Sequence, residues 1–218
     1  MLKAGIFDLD GIIVNTVPLH FEAWKKMFHE YGYTTFDFED YKKKVDGIPR
    51  TDGAKAIMVN NTDEEIAEGC ARKQEYFLEF LHSKEIPVFQ TTVDLIEQMI
   101  SEGVKVAVIS SSKNCIPILK KIGLYDRLDT VVDGRQITKG KPDPQVFLLA
   151  AERVNARPEE CVVFEDAELG VEAAKRGHMA CVGVDRYGSL SSLKRADIYV
   201  DDVGEVTLDK IREIVGAR

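Results

Sequence analysis

Two aspartates near the start of the chain have the type and spacing that most directly suggest chemistry. Asp8 and Asp10 occur in the stretch FDLDGIIVNT, where an apolar run meets a glycine. Aspartate is also a common turn and capping residue, so a strand that ends here could simply be turning a corner. In an extended segment, however, carboxylates at positions i and i+2 project to the same side and could converge on one metal ion or one reacting group. This second interpretation requires partners from elsewhere in the sequence.

Three further groups of residues suited to chemistry follow later apolar runs. Ser110 ends the run VAVIS, Lys141 lies in the loop TKGKPDP, and the pair Glu165-Asp166 ends the run VVFED. Ligands of parallel α/β sheets bind at the carboxyl ends of the strands, so we expect these groups to lie near the first acidic pair. If Asp8 and Asp10 had only a structural role in a turn, there would be no reason to expect these other groups at the ends of further strands.

The elements that must position these residues alternate along most of the chain. Continuous runs rich in β-branched residues predict buried parallel strands at 3–8, 104–111, 129–134, 160–166 and 179–185, and an edge strand at 198–202. Helical patterns between them occur at 91–102, 113–122, 143–155 and 168–177. This alternation predicts an α/β fold, a doubly wound parallel sheet with a Rossmann-like core.

The alternation stops directly after the first strand. Helical segments are predicted there in succession, at 18–32, 37–46, 50–59 and 63–83. We therefore predict two domains, an α/β catalytic core formed by residues 1–16 and 87–218 and an inserted small all-helical cap formed by residues 17–86.

The composition excludes several classes of partner. The chain has 218 residues, 44% of them hydrophobic, and a formal net charge of -8. Because acidic and basic residues are interspersed, no nucleic-acid partner and no attraction to a membrane surface are expected. No apolar run approaches the ~18 residues of a membrane span, and the first acid comes too early for a signal peptide. We expect a cytoplasmic monomer.

The four groups of residues, taken in order, resemble the motifs of the haloacid dehalogenase superfamily. The resemblance covers nearly the whole chain. The matching positions are Asp8, Asp10, Gly11 and Thr16 in the pattern DxDGxxxxT, then Ser110, then Lys141 in KPDP, then Glu165 with Asp166.

This resemblance implies phosphoryl transfer. A carboxylate can attack phosphorus without prior deprotonation, which gives an aspartyl phosphate and divides one transfer into two. The resemblance makes Asp8 the nucleophile and the Asp10 side chain the general acid and base. Asn15 departs from the pattern, because the family often has Asp there, and a role that needs a carboxylate at this position is in doubt.

The resemblance also implies Mg²⁺ as the cofactor. A carboxylate that approaches a phosphate dianion is opposed by charge, which an oxygen-bound Mg²⁺ and a lysine would neutralise. The implied metal ligands are Asp8, Asp10 through its backbone carbonyl, Glu165 and Asp166. Ser110 and Lys141 would hold the phosphoryl oxygens.

Four features of the predicted cap and of a core loop resemble the β-phosphoglucomutase branch of the superfamily. They are the helix motif His20-Phe21-Glu22-Ala23-Trp24, the loop Gly47-Ile48-Pro49-Arg50, the lysine of ARKQ and the run from Ser110 to Asn114. The resemblance implies substrate-binding roles for Thr16, His20, Trp24, Gly47, Arg50, Lys73, Ser112 and Asn114.

Each of these residues also has a structural alternative. His20 and Trp24 lie four residues apart on one helical face and could belong to the core. Arg50 could be a solvated residue at a helix start, although an arginine is suited to bidentate capture of a second phosphate. Lys73 lies on a charged helix, where a solvated lysine is ordinary. Ser112 and Asn114 could cap the following helix.

We expect a β-phosphoglucomutase-like enzyme that interconverts sugar 1-phosphate and 6-phosphate through a bisphosphate. The alternative is a phosphatase that acts on sugar phosphates or other small phosphomonoesters with the same core. The two differ in whether a sugar hydroxyl or water attacks the aspartyl phosphate. A protein that only binds phosphorylated ligands is poorly supported, because the nucleophile, the acid-base residue, the lysine and the metal acids are all present.

Overall fold

The structure is a computed structural model that describes residues 1–46, 48–186, 193 and 195–217. The chain divides into two compact units. Met1–Asn15 and Pro87–Arg218 form the sheet unit, and Thr16–Ile86 form the helical unit. None of the helices in the described residues is both long and apolar enough to cross a membrane.

The sheet unit is built on parallel strands. In the described residues these are β1 Ala4–Asp8, β2 Lys105–Ile109, β3 Thr130–Val132, β4 Cys161–Glu165, β5 Ala180–Val184 and β6 Ile198–Val200. Their order in the sheet is β3-β2-β1-β4-β5-β6. This confirms the predicted α/β fold and places β1, the strand that ends in Asp8, between β2 and β4.

The described residues also form nine α-helices and three short 3-10 helices. The α-helices are α1 Val17–Glu30, α2 Phe38–Lys44, α3 Arg50–Ile57, α4 Asp63–Ser83, α5 Gln90–Ser101, α6 Cys115–Lys121, α7 Gln145–Arg153, α8 Glu168–Arg176 and α9 Leu208–Gly216. The 3-10 helices are Tyr125–Arg127, Pro158–Glu160 and Val203–Glu205.

The central strands are buried because each is apolar on both faces. Every residue of β1, β4 and β5 is buried, as expected for a parallel sheet covered by helices on both sides. Phe7 of β1 stacks on Phe164 of β4, with ring centroids 4.4 Å apart. In the pairing of β1 with β2, Asp8 lies opposite Ile109, and in the pairing of β1 with β4, Phe7 lies opposite Phe164. The carboxyl ends of β1, β2 and β4 therefore lie at the same edge of the sheet.

The helical unit has its own aromatic core. Trp24 and Phe28, one turn apart on α1, stack with centroids 5.0 Å apart, and Phe28 also packs against Phe36 at 4.6 Å. The longest helix, α4, begins with a capping box in which the Thr62 hydroxyl accepts from the Glu65 amide and the Glu65 carboxylate accepts from the Thr62 amide. Packing and capping together explain why four helical segments follow one another here.

For two of the elements whose ends differ from their sequence predictions, side-chain hydrogen bonds explain the difference. The strand predicted at 129–134 has only three residues, because the Asp133 carboxylate accepts from the amide and the side chain of Arg135 and turns the chain. The helix predicted at 113–122 begins at Cys115. In the preceding loop the Ser110 hydroxyl accepts a hydrogen bond from the Ser112 amide, and the Ser112 hydroxyl accepts one from the Asn114 amide, which keeps these residues out of the helix.

The two chain segments that border the helical unit lie side by side. Val14 and Val88 form an isolated antiparallel bridge. The Asn15 amide donates to the Pro87 carbonyl at 2.9 Å, and the Phe89 amide donates to the Ile13 carbonyl at 2.9 Å. The insertion thus leaves and re-enters the sheet unit at neighbouring points.

Candidate active site

A buried lysine joins the ends of two neighbouring strands. Lys141 Nζ donates to Asp8 Oδ1 at 2.6 Å and to Glu165 Oε2 at 2.8 Å. The Glu165 side chain is 1% exposed, that of Asp8 is 9% exposed and that of Lys141 is 13% exposed. Three predicted site residues from β1, β4 and the loop before α7 therefore meet directly.

Burial and mutual charge perturb this cluster. Burial by itself lowers the pKa of Lys141, but the carboxylates of Asp8 and Glu165 more than offset it, so the pKa of Lys141 is raised well above its ordinary value. Burial raises the pKa of Glu165 and of Asp166, and the charge of Asp8 raises both further. One ammonium group therefore faces more carboxylate charge than it can neutralise.

Asp166 lies against the backbone that follows Asp10. Gly11 has φ +82°, and a Cβ built on it would lie 1.8 Å from Asp166 Oδ2. A side chain at position 11 is thus excluded both by the backbone conformation and by the Asp166 carboxylate. The motif glycine allows the two acidic pairs to come close together.

The segment after β1 is a tight turn and not a continuation of the strand. Asp10 pairs with Val14 in an isolated bridge, the Gly11 amide donates to the Val14 carbonyl at 2.8 Å, and the Val14 amide donates to the Leu9 carbonyl at 3.1 Å. The interpretation in which both aspartates lie on one extended strand is wrong, because β1 ends at Asp8. Asp10 instead belongs to a hydrogen-bonded loop.

Ser110, Ser112 and Asn114 form a second loop at the same edge of the sheet. Ser110 directly follows β2, is 2% exposed, and accepts from the Ser112 amide at 3.0 Å. Ser112 accepts from the Asn114 amide at 3.1 Å. Asn114 is buried at the N-cap position of α6, but within the described residues its side chain does not cap that helix.

The residues of this edge fit a magnesium ion by their chemistry. Among the residues that the structure describes, no group of three or more His, Cys, Asp or Glu could hold a metal ion by side chains alone. Mg²⁺ in proteins is commonly held by one or two carboxylates together with water and substrate phosphate. The excess of buried carboxylate around Asp8 and Asp166 suits that mode of binding.

In the helical unit, three predicted residues come together around a buried ammonium group. Lys73 of α4 is 3% exposed, and its Nζ lies 2.8 Å from His20 Nδ1. The same ammonium lies 5.3 Å from the Trp24 ring centroid and 5.1 Å from the Phe77 ring centroid. The solvated alternative for Lys73 is therefore wrong, since its side chain is packed between aromatic rings.

The basic groups of this cluster repel one another. Burial first, and then the charge of Arg50, lower the pKa of Lys73 to about 7. Burial first, and then the charges of Lys73 and Arg50, hold the pKa of His20 well below its ordinary value. A bound anion would offset this repulsion and favour the protonated forms of Lys73 and His20, so the cluster is suited to an anionic ligand.

The remaining predicted residues of the helical unit are placed as follows. Arg50 is exposed at the first position of α3 rather than within the preceding loop, and its Nη2 donates to Gln74 Oε1 at 2.6 Å. Thr16 is buried at the N-cap position of α1, and its carbonyl accepts from the His20 amide. Gly47 lies outside the described residues.

Sequence reasoning missed one glycine that shapes the site. A Cβ on Gly170 of α8 would lie 2.0 Å from Cδ of Glu165, so the first turn of α8 packs directly on this carboxylate. A glycine inside a predicted helix, four residues after an acidic pair, is the signal that could have indicated this close approach.

Comparison with known proteins relates the whole chain to enzymes of sugar phosphates. Residues 5–184 match the family model described as haloacid dehalogenase-like hydrolase. The β-phosphoglucomutase of Bacillus subtilis is 34% identical over 220 residues, covering 97% of this chain and 95% of that protein. The phosphorylated carbohydrates phosphatase of Thermotoga maritima is 34% identical over 224 residues, covering 98% and 97%. A crystal structure of β-phosphoglucomutase from Clostridium difficile has a TM-score of 0.84 at 28% identity, covering 100% and 98%.

Proposed function

Since the chain belongs to the haloacid dehalogenase-like hydrolase family and to its β-phosphoglucomutase-like branch, we propose that it transfers phosphoryl groups of sugar phosphates through the Asp8 carboxylate. The observation that carries the proposal is the buried contact of Asp8 with Lys141 at 2.6 Å. A carboxylate nucleophile must approach a dianion, and a fixed ammonium group at its side reduces the repulsion.

In the first half of the reaction, an Asp8 oxygen forms a bond to phosphorus while the bond from phosphorus to the sugar oxygen breaks. The leaving oxygen takes a proton from the carboxyl group of Asp10. Lys141 and Ser110, at the same edge of the sheet, hold the phosphoryl oxygens. The product of this step is an aspartyl phosphate.

In the second half, a sugar hydroxyl gives its proton to the Asp10 carboxylate and attacks phosphorus. The bond between Asp8 and phosphorus breaks, which returns both aspartates to their starting states. A hydroxyl on the other end of the sugar makes the enzyme a mutase, and water in its place makes it a phosphatase.

Magnesium is the cofactor that this site fits. Asp8, Asp166 and the backbone carbonyl of Asp10 would hold it, with Glu165 in support. When bound, Mg²⁺ supplies positive charge to the transferring phosphoryl group.

The favoured reaction is interconversion of β-glucose 1-phosphate and glucose 6-phosphate through a bisphosphate. A mutase needs a site for a phosphate at either end of the sugar. The helical unit offers Arg50, Lys73 and His20 as positively charged or hydrogen-bonding groups for the phosphate that is not transferred. Trp24 is buried in the aromatic core of this unit and packs beside Lys73, so it supports the ammonium group and does not itself face a ligand.

A phosphatase is the second candidate. The observation that favours it is that the Thermotoga maritima phosphatase is as similar to this chain, at 34% identity, as the Bacillus subtilis mutase is. Both reactions share the first half.

The deciding experiment gives the purified protein β-glucose 1-phosphate, Mg²⁺ and a trace of the 1,6-bisphosphate. Glucose 6-phosphate and free phosphate are followed in the same sample. The mutase should form glucose 6-phosphate well ahead of phosphate release, and Asp8→Asn should form neither, because it keeps the shape and removes the nucleophile.

Arg50→Ala tests the role of the helical unit. It should weaken use of sugar phosphates while sparing phosphoryl uptake from acetyl phosphate, which has no second phosphate to bind. Arg72→Ala is the matched control, since it removes an exposed arginine of the same unit that pairs with Glu30 and Glu68. If free phosphate is the main product, and if Arg50→Ala and Arg72→Ala use sugar phosphates equally well, the protein is a phosphatase and not a mutase.

A further inference from the structure

Arg186, the second residue after β5, makes four separate contacts with its guanidinium group. Its Nε donates to the Gly11 carbonyl at 3.0 Å, and its Nη2 donates to the Thr92 hydroxyl at 3.3 Å. Its Nη1 pairs with Asp202. Its Cζ lies 3.7 Å from the centroid of the Phe89 ring. The side chain is only 8% exposed, so these contacts are made largely away from water.

The loop that Arg186 contacts is the one that carries Asp10. The Thr92 side chain is fully buried, and its hydroxyl donates to the Ile12 carbonyl at 2.7 Å. The carbonyls of Gly11 and Ile12, which directly follow Asp10, are thus held by two side chains that also contact each other. One comes from the carboxyl end of β5 and the other from α5.

Such support matters because the loop contains a glycine in a left-handed conformation. Gly11, at φ +82°, has no side chain of its own to restrict its backbone. Its amide donates within the loop, to the Val14 carbonyl, while its carbonyl is held by Arg186 from outside the loop. The direction of the Asp10 side chain depends on the peptide planes next to it.

We propose that Arg186 is a positioning residue that holds the loop of Asp10 in the geometry needed for proton transfer. This inference rests on the proposed function, in which Asp10 gives and takes the proton. Arginine suits the role because its planar fork can donate to a carbonyl, a hydroxyl and a carboxylate at once while its face stacks on Phe89.

The proposal predicts an effect that depends on the leaving group. Phosphoryl uptake by Asp8 from β-glucose 1,6-bisphosphate expels an alkoxide, which needs a proton, whereas uptake from acetyl phosphate expels a carboxylate, which does not. In single-turnover measurements with Mg²⁺, Arg186→Ala should slow the first reaction ~10-fold or more and the second ~2-fold or less, with little change in KM.

Rescue distinguishes positioning from a general loss of structure. Truncation to alanine leaves a space between the Phe89 ring and the Asp202 carboxylate that methylguanidinium can enter. Adding methylguanidinium should restore bisphosphate use by Arg186→Ala in a saturable manner and should leave the wild-type protein unaffected. Arg212→Ala is the matched control, because it removes an arginine of the same unit that pairs with Glu102 and Asp209.

Hydrogen exchange gives a readout that does not depend on activity. The amide protons of residues 11–14 should exchange ~10-fold faster in Arg186→Ala and at the wild-type rate in Arg212→Ala. Unchanged exchange, equal slowing of both phosphoryl donors, or no rescue would each overturn the inference. Absence of Asp8-dependent uptake in the wild-type protein would instead overturn the proposed function, and the exchange rates alone would then decide whether Arg186 holds this loop.

Discussion

At the scale of single residues, Lys73 is buried although its neighbours in the sequence are charged residues of the kind found on exposed helices. It lies on a helix rich in charged residues, yet its ammonium group is buried against His20 and two aromatic rings. The lowered pKa of about 7 means that the folded protein binds this proton less tightly than the unfolded chain, whose lysines titrate near ~10.4. A charge at this position is therefore costly to the fold.

The pH dependence of stability tests this cost. Between about pH 7 and about pH 10 the unfolded state binds more protons at Lys73 than the folded state, so this residue makes stability rise with pH. Lys73→Met should raise the free energy of unfolding relative to wild type at about pH 6.5, and the difference should shrink by on the order of 1 kcal/mol per pH unit above pH 7. Urea unfolding at several pH values measures it.

Lys25→Met is the control for this prediction, because it removes an exposed lysine of α1. Its difference from wild type should stay constant over the same pH range. If the Lys73→Met difference were equally constant, the ammonium group would not be penalised by burial.

At the scale of elements, α8 contains a glycine that lowers its helix propensity but lets it pack against the candidate site. Glycine inside a helix is less favourable than alanine by ~1 kcal/mol. Gly170 nevertheless occupies the first turn of α8, where a methyl group would lie 2.0 Å from Cδ of the buried Glu165 carboxylate. The helix can begin this close to β4 only because position 170 has no side chain.

A pair of glycine substitutions separates the effect of helix propensity from the effect of close packing on Glu165. Gly170→Ala should destabilise the protein by ~1–3 kcal/mol through overpacking and should slow phosphoryl transfer, because Glu165 and its partner Lys141 must shift. Gly216→Ala at the last residue of α9, where no atom lies within 4 Å of the added Cβ, should leave stability unchanged or raise it by up to ~1 kcal/mol. Thermal unfolding and the acetyl phosphate assay measure both, and equal effects of the two changes would contradict the close packing at Gly170.

The elements that could be predicted from the sequence are those with a strong local pattern. Continuous apolar runs predicted β1, β2, β4 and β5, and α4 was predicted with its observed ends, at 63–83. The helix α9 was not predicted, although Thr207 at its N-cap and buried Leu208, Ile211 and Val215 would have indicated it. The edge strands are short, so their ends depend on side-chain contacts such as that of Asp133 with Arg135.

The part of the candidate site in the sheet unit could be predicted, because Asp8, Ser110 and Glu165 follow strands and Lys141 lies in a recognisable motif, KPDP. Asp8, Ser110 and Glu165 could be placed together because parallel strands end at one edge. The contacts of Lys73 with His20 and of Arg186 with Gly11 could not, because each joins residues far apart in sequence whose meeting depends on how elements pack. No periodicity in the sequence records such packing.

At the scale of the whole molecule, a chain that is already acidic places carboxylates together in its interior. Burial and the charge of Asp8 raise the pKa values of Glu165 and Asp166, so the folded state binds protons at these groups more tightly than the unfolded state. Their contribution to stability is therefore complete below the ordinary carboxyl range and is lost as the pH rises through the raised values. A bound cation would oppose that loss.

Thermal unfolding with and without magnesium measures this coupling. Addition of about 5 mM MgCl₂ should raise the Tm, and the increase should be larger at about pH 8 than at about pH 5.5, because protons compete with the metal for the same oxygens. Asp166→Asn should reduce the increase at both pH values. An increase that is the same at both pH values, or unchanged in Asp166→Asn, would place the ion elsewhere.

Because the two ends of the insertion are neighbours in the fold, the gene segment that encodes it can be exchanged during evolution. Because Ile13–Asn15 and Pro87–Phe89 are hydrogen-bonded to each other, the codons for residues 16–86 encode a segment whose two ends already meet. Two crossovers in the gene, one at each end of this segment, can exchange it for another of different length without reordering the strands. A lineage can in this way acquire a new helical unit while inheriting Asp8, Lys141 and Glu165 unaltered, so the two parts of one gene can have different ancestries.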